Sequence, residues 1–288
     1  MYSSNFDYFR ASSVAEASEL LKKYPGAKLL AGGHSLIPLL KLRLASPPVV
    51  IDIGRVAELK GITVNDGTVR IGPLTTHAEL AASVVIREHC PALADAAARV
   101  GDPAVRNRGT IGGNVAHADP ASDLPTVLAA VGARMATTGP GGSRVHDVGS
   151  FFKGMMTTSL GDEDVLAAIE VPVRQKGQGM AYAKFEHPAS RYAVIGVAAA
   201  VTVSGGTCTA AAVAVGGCVP QPVRASSVEK ALTGQSLSAE TIAKAASQVT
   251  LDLGPDIIGD LYASADYRKA VVSVWVKRAL TVAAERAT

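Results

Sequence analysis

Two short motifs hold the residue types best suited to chemistry: Gly32-Gly33-His34-Ser35 and Thr110-Ile111-Gly112-Gly113-Asn114. Paired glycines lack Cβ atoms and admit positive φ, so successive backbone N–H groups can converge on one anion. A helix that starts directly afterwards adds the positive end of its dipole. Ser35, Thr110 and Asn114 contribute hydrogen-bonding side chains. Together the motifs could grip a pyrophosphate from two sides; the bland alternative is two tight turns with no ligand. No GxGxxG opens a βαβ unit and no GxxxxGK[ST] occurs. A Rossmann-type dinucleotide fold and phosphoryl transfer are therefore disfavoured.

His34 has neither a nucleophile nor a carboxylate beside it in its motif, and no second His or Cys at ligand spacing. A structural or cofactor-contact role is favoured over catalysis or metal binding. Arg106 and Arg108 flank the second motif, where phosphate binding and a solvated role are equally open. Cys90, Cys208 and Cys218 form no CxxC pair, so the chain has no evident zinc or iron–sulfur site of its own. They read as buried small hydrophobes in a reducing, cytoplasmic compartment.

Several elements must position the motifs. Ser13 and Glu16 have capping-box spacing ahead of a helix that ends at Pro25-Gly26. Val14, Ala17, Leu20, Leu21 and Tyr24 lie on one face of it. A strand from Lys28 to Ala31 enters the first motif, LIPLLKLRL follows as an amphipathic piece, and VVIDI is a second strand. This order suggests a small parallel unit that begins with a helix. GITVNDGTVRI then reads as a hairpin around Asn65-Asp66-Gly67. Thr76 and Glu79 mark another capped helix start, and a helix runs from Pro91 to Val100. The second motif falls in a long loop from Gly101 to Asp123 rich in Gly, Asn, Asp and Pro, of the kind that usually carries function. A short apolar helix, Leu124 to Val131, ends at Gly132. Tyr192 to Val223 carries no charge, but Ser204-Gly205-Gly206-Thr207 makes it a buried hairpin rather than a membrane span. A helix from Tyr267 to Ala284 contains the only Trp.

Hydrophobic residues make up 48% of 288, enough for a sizeable core and against disorder. The net charge of +3 gives no basis for nucleic-acid or membrane-surface binding. The N-terminus lacks the pattern of a signal peptide.

AGGHSLIPLLKLRLASP (31–47) and GDPAVRNRGTIGGNVAHADPASDLP (101–125) resemble the FAD-binding medium subunit of molybdenum hydroxylases, most of all its carbon monoxide dehydrogenase branch. FDYFRASSVAEASELL and the C-terminal region extend the resemblance over essentially the whole chain. It implies an α+β fold: two α/β subdomains (1–54 and 55–172) with FAD in the cleft between them, then a C-terminal antiparallel sheet with helices (178–288). Leu29, Leu30, Ala31, Gly32, Gly33, His34, Ser35 and Leu36 would line the pyrophosphate and ribityl chain. Thr110, Ile111, Gly112, Gly113 and Asn114 would form a second cradle, and Val100 would pack near the adenine. Asp123, Leu166 and Lys184 match later cofactor contacts, and Tyr192 stands where an aromatic side chain flanks the ring. Lys184 near the isoalloxazine would stabilise negative charge on the reduced ring and raise its potential.

The resemblance also implies partners: a small iron–sulfur subunit and a large subunit with a molybdenum–pterin cofactor, commonly as a dimer of heterotrimers. Electrons would leave to a quinone, NAD or another acceptor. The expected location is cytoplasmic, with association at the inner membrane face through the complex left open. Two rivals stand beside it: a self-contained FAD-dependent reductase of the same superfamily, and a non-enzymatic α/β binding or scaffold module.

Overall fold

The computed structural model describes residues 2–287. The chain opens with β1 (Asp7–Arg10), α1 (Val14–Lys23), β2 (Lys28–Leu30), α2 (Leu36–Lys41) and β3 (Val49–Asp52). These strands form a parallel sheet in the order β1-β3-β2. The sequence predicts a helix first, and β1 is the correction. DYFR has no buried stripe, and β1 is a strand because its residues pair with 49–52. Ser13 caps α1 by accepting the Glu16 N–H, but the Glu16 carboxylate binds the N–H and hydroxyl of Ser12. The expected capping box is therefore only half formed.

The middle of the chain begins with the hairpin β4 (Ile62–Asn65) and β5 (Thr68–Ile71), then α3 (His77–Ala82), α4 (Val84–His89) and α5 (Pro91–Ala98). Thr76 and Glu79 make a complete reciprocal capping box at α3. The region expected to be a long loop contains α6 (Pro103–Arg106) and α7 (Ile111–His117) before α8 (Leu124–Val131). Thr110-Ile111-Gly112-Gly113-Asn114 is thus a cap and the first turn of a helix, not a tight turn. Neither Gly112 nor Gly113 has positive φ. A Cβ on Gly112 would stand 2.7 Å from the Pro73 carbonyl oxygen, so close approach demands this glycine.

Then come β6 (Arg134–Gly139), β7 (Gly142–Asp147), α9 (Val148–Phe151), β8 (Phe152–Gly154), β9 (Thr157–Thr158) and β10 (Val165–Pro172). The resulting sheet has the order β4-β5-β10-β6-β7, every pairing antiparallel. The last part holds β11 (Gln178–Glu186), β12 (Ala193–Ser204), β13 (Thr207–Gly216) and β14 (Val223–Arg224), followed by α10 (Ser226–Leu232), α11 (Ala239–Ala246) and α12 (Ala265–Glu285). Its four strands pair in sequence order, antiparallel throughout. Among the described residues, no helix is long and apolar enough to cross a membrane.

The C-terminal sheet is covered on both faces. Met180 and Tyr182 belong to the core shared with α5 and α8, while Ala181, Val197 and Val213 belong to a core shared with α10, α11 and α12. That explains why β12 is buried at nine successive positions instead of alternating. Glycines at paired positions shape the face under α8. Gly196 pairs with Lys184 on one side and Gly216 on the other. A Cβ on Gly216 would collide with Thr126 Oγ1, and one on Gly196 would lie 2.5 Å from the Tyr182 hydroxyl. Gly216→Ala is expected to cost about 1–3 kcal/mol through overpacking. Adding Thr126→Ala should restore most of it in urea unfolding; no recovery would show that the collision is not with Thr126.

Candidate functional site

The first glycine motif is the connection from β2 to α2. Gly33 has φ +78°, the left-handed conformation that glycine tolerates, whereas Gly32 is required by proximity. A Cβ on Gly32 would run into the Arg108 carbonyl and stand 3.0 Å from the Gly109 Cα. The first motif therefore lies directly against the chain entering the second. Among the described residues, the N–H groups of Gly32, Gly33, His34 and Ser35 donate to no acceptor within the chain. The Ser35 hydroxyl caps nothing. His34 is exposed, with Nδ1 3.3 Å from the Gly32 carbonyl oxygen. Four unpaired backbone donors and a free hydroxyl in one loop form an anion cradle.

The second motif contributes differently from expectation. Ile111 N–H binds Thr75 O, Gly112 N–H binds Pro73 O, and Gly113 N–H binds the Thr110 hydroxyl. The first-turn donors of α7 are therefore spent inside the protein, and this is no second N–H cradle. What remains is a smooth wall: exposed Gly113 has no side chain to block a ligand. Asn114 Nδ2 binds the Ser122 hydroxyl at 3.0 Å, while its Oδ1 is buried with no partner. An orphaned buried acceptor costs stability unless a ligand or water satisfies it.

His77 backs this wall. Its side chain is 3% exposed and packs against Gly109, whose carbonyl accepts the His77 N–H. Thr76 and Thr110 add a β-bridge alongside. Burial pushes the imidazole down to about 4, helped by His34 and Arg106, so it is neutral at pH 7. A folded-state value below the unfolded one means stability is present above about 6.5 and lost as pH falls toward 4. Unfolding free energy should drop by about 2 kcal/mol between pH 7 and pH 5. His77→Gln should flatten that slope; an equal slope in the variant would remove His77 as its source.

The remaining predicted residues fall into three groups. Asp123, Lys184 and Tyr192 gather around one loop. Asp123 lies just ahead of α8 but makes no capping bond with its side chain. Lys184, 1% exposed, donates to Asp123 at 2.9 Å and to the Arg99 carbonyl at 3.0 Å. The Tyr182 hydroxyl donates to Asp123 Oδ1 at 2.6 Å, an oxygen that the Lys184 ammonium also approaches at 2.9 Å. Burial pushes the Asp123 carboxyl up, and Lys184 and Tyr182 oppose that. Tyr192 is 46% exposed; burial raises its hydroxyl, with Asp119 and Asp123 adding to the rise. Val100 and Leu166 are the second group. Val100 is half-buried at the end of α5, where its carbonyl accepts from Arg106. Leu166 points into the middle core at a bulge in β10. Leu29 packs against the N-terminal core; Leu30, Ala31 and Leu36 are half-buried beside the cradle.

Sequence reasoning missed Tyr182, Arg99 and the structural part played by His77. One signal for Tyr182 was available. In MAYAKF, strand alternation puts Tyr182 and Lys184 on one face, and a lysine among buried apolar residues needs acceptors.

Cradle, glycine wall and orphaned acceptor together suit an extended ligand with a diphosphate, such as FAD. Comparison with known proteins points the same way. A family model described as FAD binding domain in molybdopterin dehydrogenase matches residues 4–174. A second, CO dehydrogenase flavoprotein C-terminal domain, matches 180–283. The carbon monoxide dehydrogenase medium chain of Hydrogenophaga pseudoflava is 39% identical over 279 residues, covering 96% of each chain. The glyceraldehyde dehydrogenase medium chain of Sulfolobus acidocaldarius is 37% identical, covering 97% of this chain and 98% of that one. The solved structure of carbon monoxide dehydrogenase from Hydrogenophaga pseudoflava lacking the Mo-pyranopterin moiety superposes with a TM-score of 0.95. It is 40% identical and covers 99% of both chains.

Proposed function

Because the chain belongs to the family of FAD-binding medium subunits of molybdopterin dehydrogenases, we propose that it is the electron-transfer flavoprotein of a three-subunit molybdenum hydroxylase. Substrate is oxidised at a molybdenum–pterin centre on a large partner, and iron–sulfur clusters on a small partner bring the electrons here. They leave to a quinone, NAD or a comparable acceptor. FAD, when bound, supplies the coupling between one-electron and two-electron transfer. The complex is a cytoplasmic dimer of such heterotrimers.

In this reading residues 1–54 and 55–172 flank the FAD, and 178–288 close over its ring end. The backbone N–H groups of Gly32, Gly33, His34 and Ser35 hold the diphosphate, between Leu29, Leu30, Ala31 and Leu36. Residues 110–114 form the opposite wall. Val100 serves the adenine end, and Asp123, Leu166, Lys184 and Tyr192 serve the later contacts. The four unpaired N–H donors of the first motif carry the proposal: a buried or ligand-facing backbone donor needs an acceptor, and this loop offers none of its own. No acid, base or nucleophile is required of this chain. Medium chains named for carbon monoxide and for glyceraldehyde match it at 39% and 37% identity, and in this reading the substrate is oxidised on a different chain.

The test is the visible absorption spectrum of the protein as it purifies from its host, with the released cofactor identified after denaturation. The expected result is an oxidised-flavin spectrum, FAD in the supernatant, and co-purifying iron and molybdenum. Colourless protein that takes up no FAD would end the proposal. FAD without partner metals would leave the cofactor assignment and remove the complex.

A further inference from the structure

We propose that Tyr182 is a positioning residue for the flavin: its hydroxyl, together with the Lys184 ammonium, fixes the Asp123 carboxylate behind the wall of the cleft, in space left by Gly196. The inference rests on the flavin reading above.

Asp123 stands at the end of a clamped loop. Ala118 O accepts from Met156 N–H, Pro120 O from Gly217 N–H, and Ala121 O from Ala193 N–H. Three separate parts of the chain thus hold residues 118–121. The next residue, Ser122, receives the Asn114 amide of the cleft wall. Asp123 makes no capping bond to its own helix; its Oδ1 accepts from the Tyr182 hydroxyl, and both of its oxygens lie 2.9 Å from the Lys184 ammonium. A rigid path runs from the C-terminal sheet through Tyr182, Asp123 and Ser122 to Asn114, whose buried Oδ1 has no partner among the described residues. Gly196 is part of the device, since a Cβ there would press within 2.5 Å of the Tyr182 oxygen.

The charged and titratable groups around Asp123 come from three directions. Lys184 and Tyr182 lie on β11, Arg99 follows α5, and Tyr192 stands at the open side, where Asp119 of the clamped loop also acts on it. Asp123 raises the Tyr192 hydroxyl, so its charge reaches the exposed mouth of the site. Removing the Tyr182 hydroxyl takes a donor from the charged form of Asp123 while leaving the ring packing intact. The carboxylate is then both less firmly oriented and easier to protonate.

The experiment uses the protein in the assembly in which it purifies. Tyr182→Phe and site-specific replacement of Tyr182 by 3-fluorotyrosine are compared with wild type for FAD dissociation constant and for flavin midpoint potential against pH. Tyr182→Phe should weaken FAD about tenfold, because a loosened Asp123 has to be ordered when the cofactor binds, a cost of about 1.4 kcal/mol. It should also move the pH dependence of the potential upward in pH. The fluorinated residue keeps the ring and donates more strongly, so affinity should hold and the pH dependence should move the opposite way. If both replacements reproduce the wild-type dissociation constant and potential profile, the proposal falls and Tyr182 is structural only. If Tyr182→Phe does not fold, the fluorinated protein decides by the same criterion. Wild-type protein without FAD would overturn this proposal and the flavin reading together; wild-type FAD with unmoved variants would overturn this one alone.

Discussion

Gly32→Val is expected to strip the protein of its flavin. The new Cβ would be driven into the Arg108 carbonyl, 2.8 Å from its carbon and 3.0 Å from Gly109 Cα. These are backbone atoms and cannot swing aside as a side chain tip would. The two cleft-forming segments must part, carrying the N–H groups of 32–35 away from the wall at 110–114. A misplacement of about 1 Å in a preorganised site costs on the order of a hundredfold. Overpacking costs about 1–3 kcal/mol of stability besides. Gly149→Ala is the control: its Cβ meets nothing within 4 Å and its φ is not positive, so flavin content should be unchanged. Retained flavin absorbance per protein, read beside the urea midpoint, separates the two costs. Full flavin content in Gly32→Val would mean that the cradle does not hold the cofactor.

Lys184→Met should cause the largest loss of stability. Lys184 and Asp123 are both buried, and methionine fills the volume of the lysine stem without its charge. Asp123 would keep only the Tyr182 hydroxyl. Breaking one side of a buried pair costs about 3–5 kcal/mol, because the remaining charge is uncompensated. The pH dependence identifies that cause. Without Lys184 the Asp123 carboxyl is raised further by burial, above its unfolded value of about 3.9. A carboxyl raised in the folded state contributes stability below the unfolded value and loses it as pH rises through the folded one. The gap between variant and wild type should therefore narrow as pH is lowered, and Asp123→Asn in the Lys184→Met background should close much of it at pH 7. A gap independent of pH, with no rescue, would point to lost packing instead. The same geometry revises the electrostatic role expected for Lys184. Its ammonium is already matched by Asp123, so what a flavin ring would feel is the dipole of the pair rather than a full positive charge.

What the sequence disclosed, and what it withheld, follows from how local each signal is. The hairpin of β12 and β13 is legible because its turn, Ser204-Gly205-Gly206-Thr207, and its apolar flanks are contiguous. The capping box of α3 lies within four residues. α7 is hidden because Gly112 and Gly113 argue against a helix by propensity, while the reason for Gly112, the crowding by Pro73, lies some forty residues away. β1 depends on pairing with β3, also about forty residues on. At the candidate site the glycine motifs were visible, but their division of labour was not. Only the three-dimensional path of the chain shows that one loop keeps its N–H groups free while the other consumes them. Tyr182 and Asp123 are 59 residues apart in sequence, and no spacing rule connects them.

The doubly covered C-terminal sheet also sets an order of events during synthesis. When residues 1–172 have left the ribosome, α5 and α8 already exist but the strands that cover them do not. Leu93, Leu128 and their neighbours then lack Met180, Tyr182 and Ala198, which complete their core in the finished protein. The middle of the chain can close only after β12 and β13 emerge, and those strands in turn need α12, some fifty residues further on, for their other face. The nascent protein thus carries an open apolar surface until α12 is made, and a premature stop anywhere before residue 265 would leave a product that chaperones hold and proteases remove.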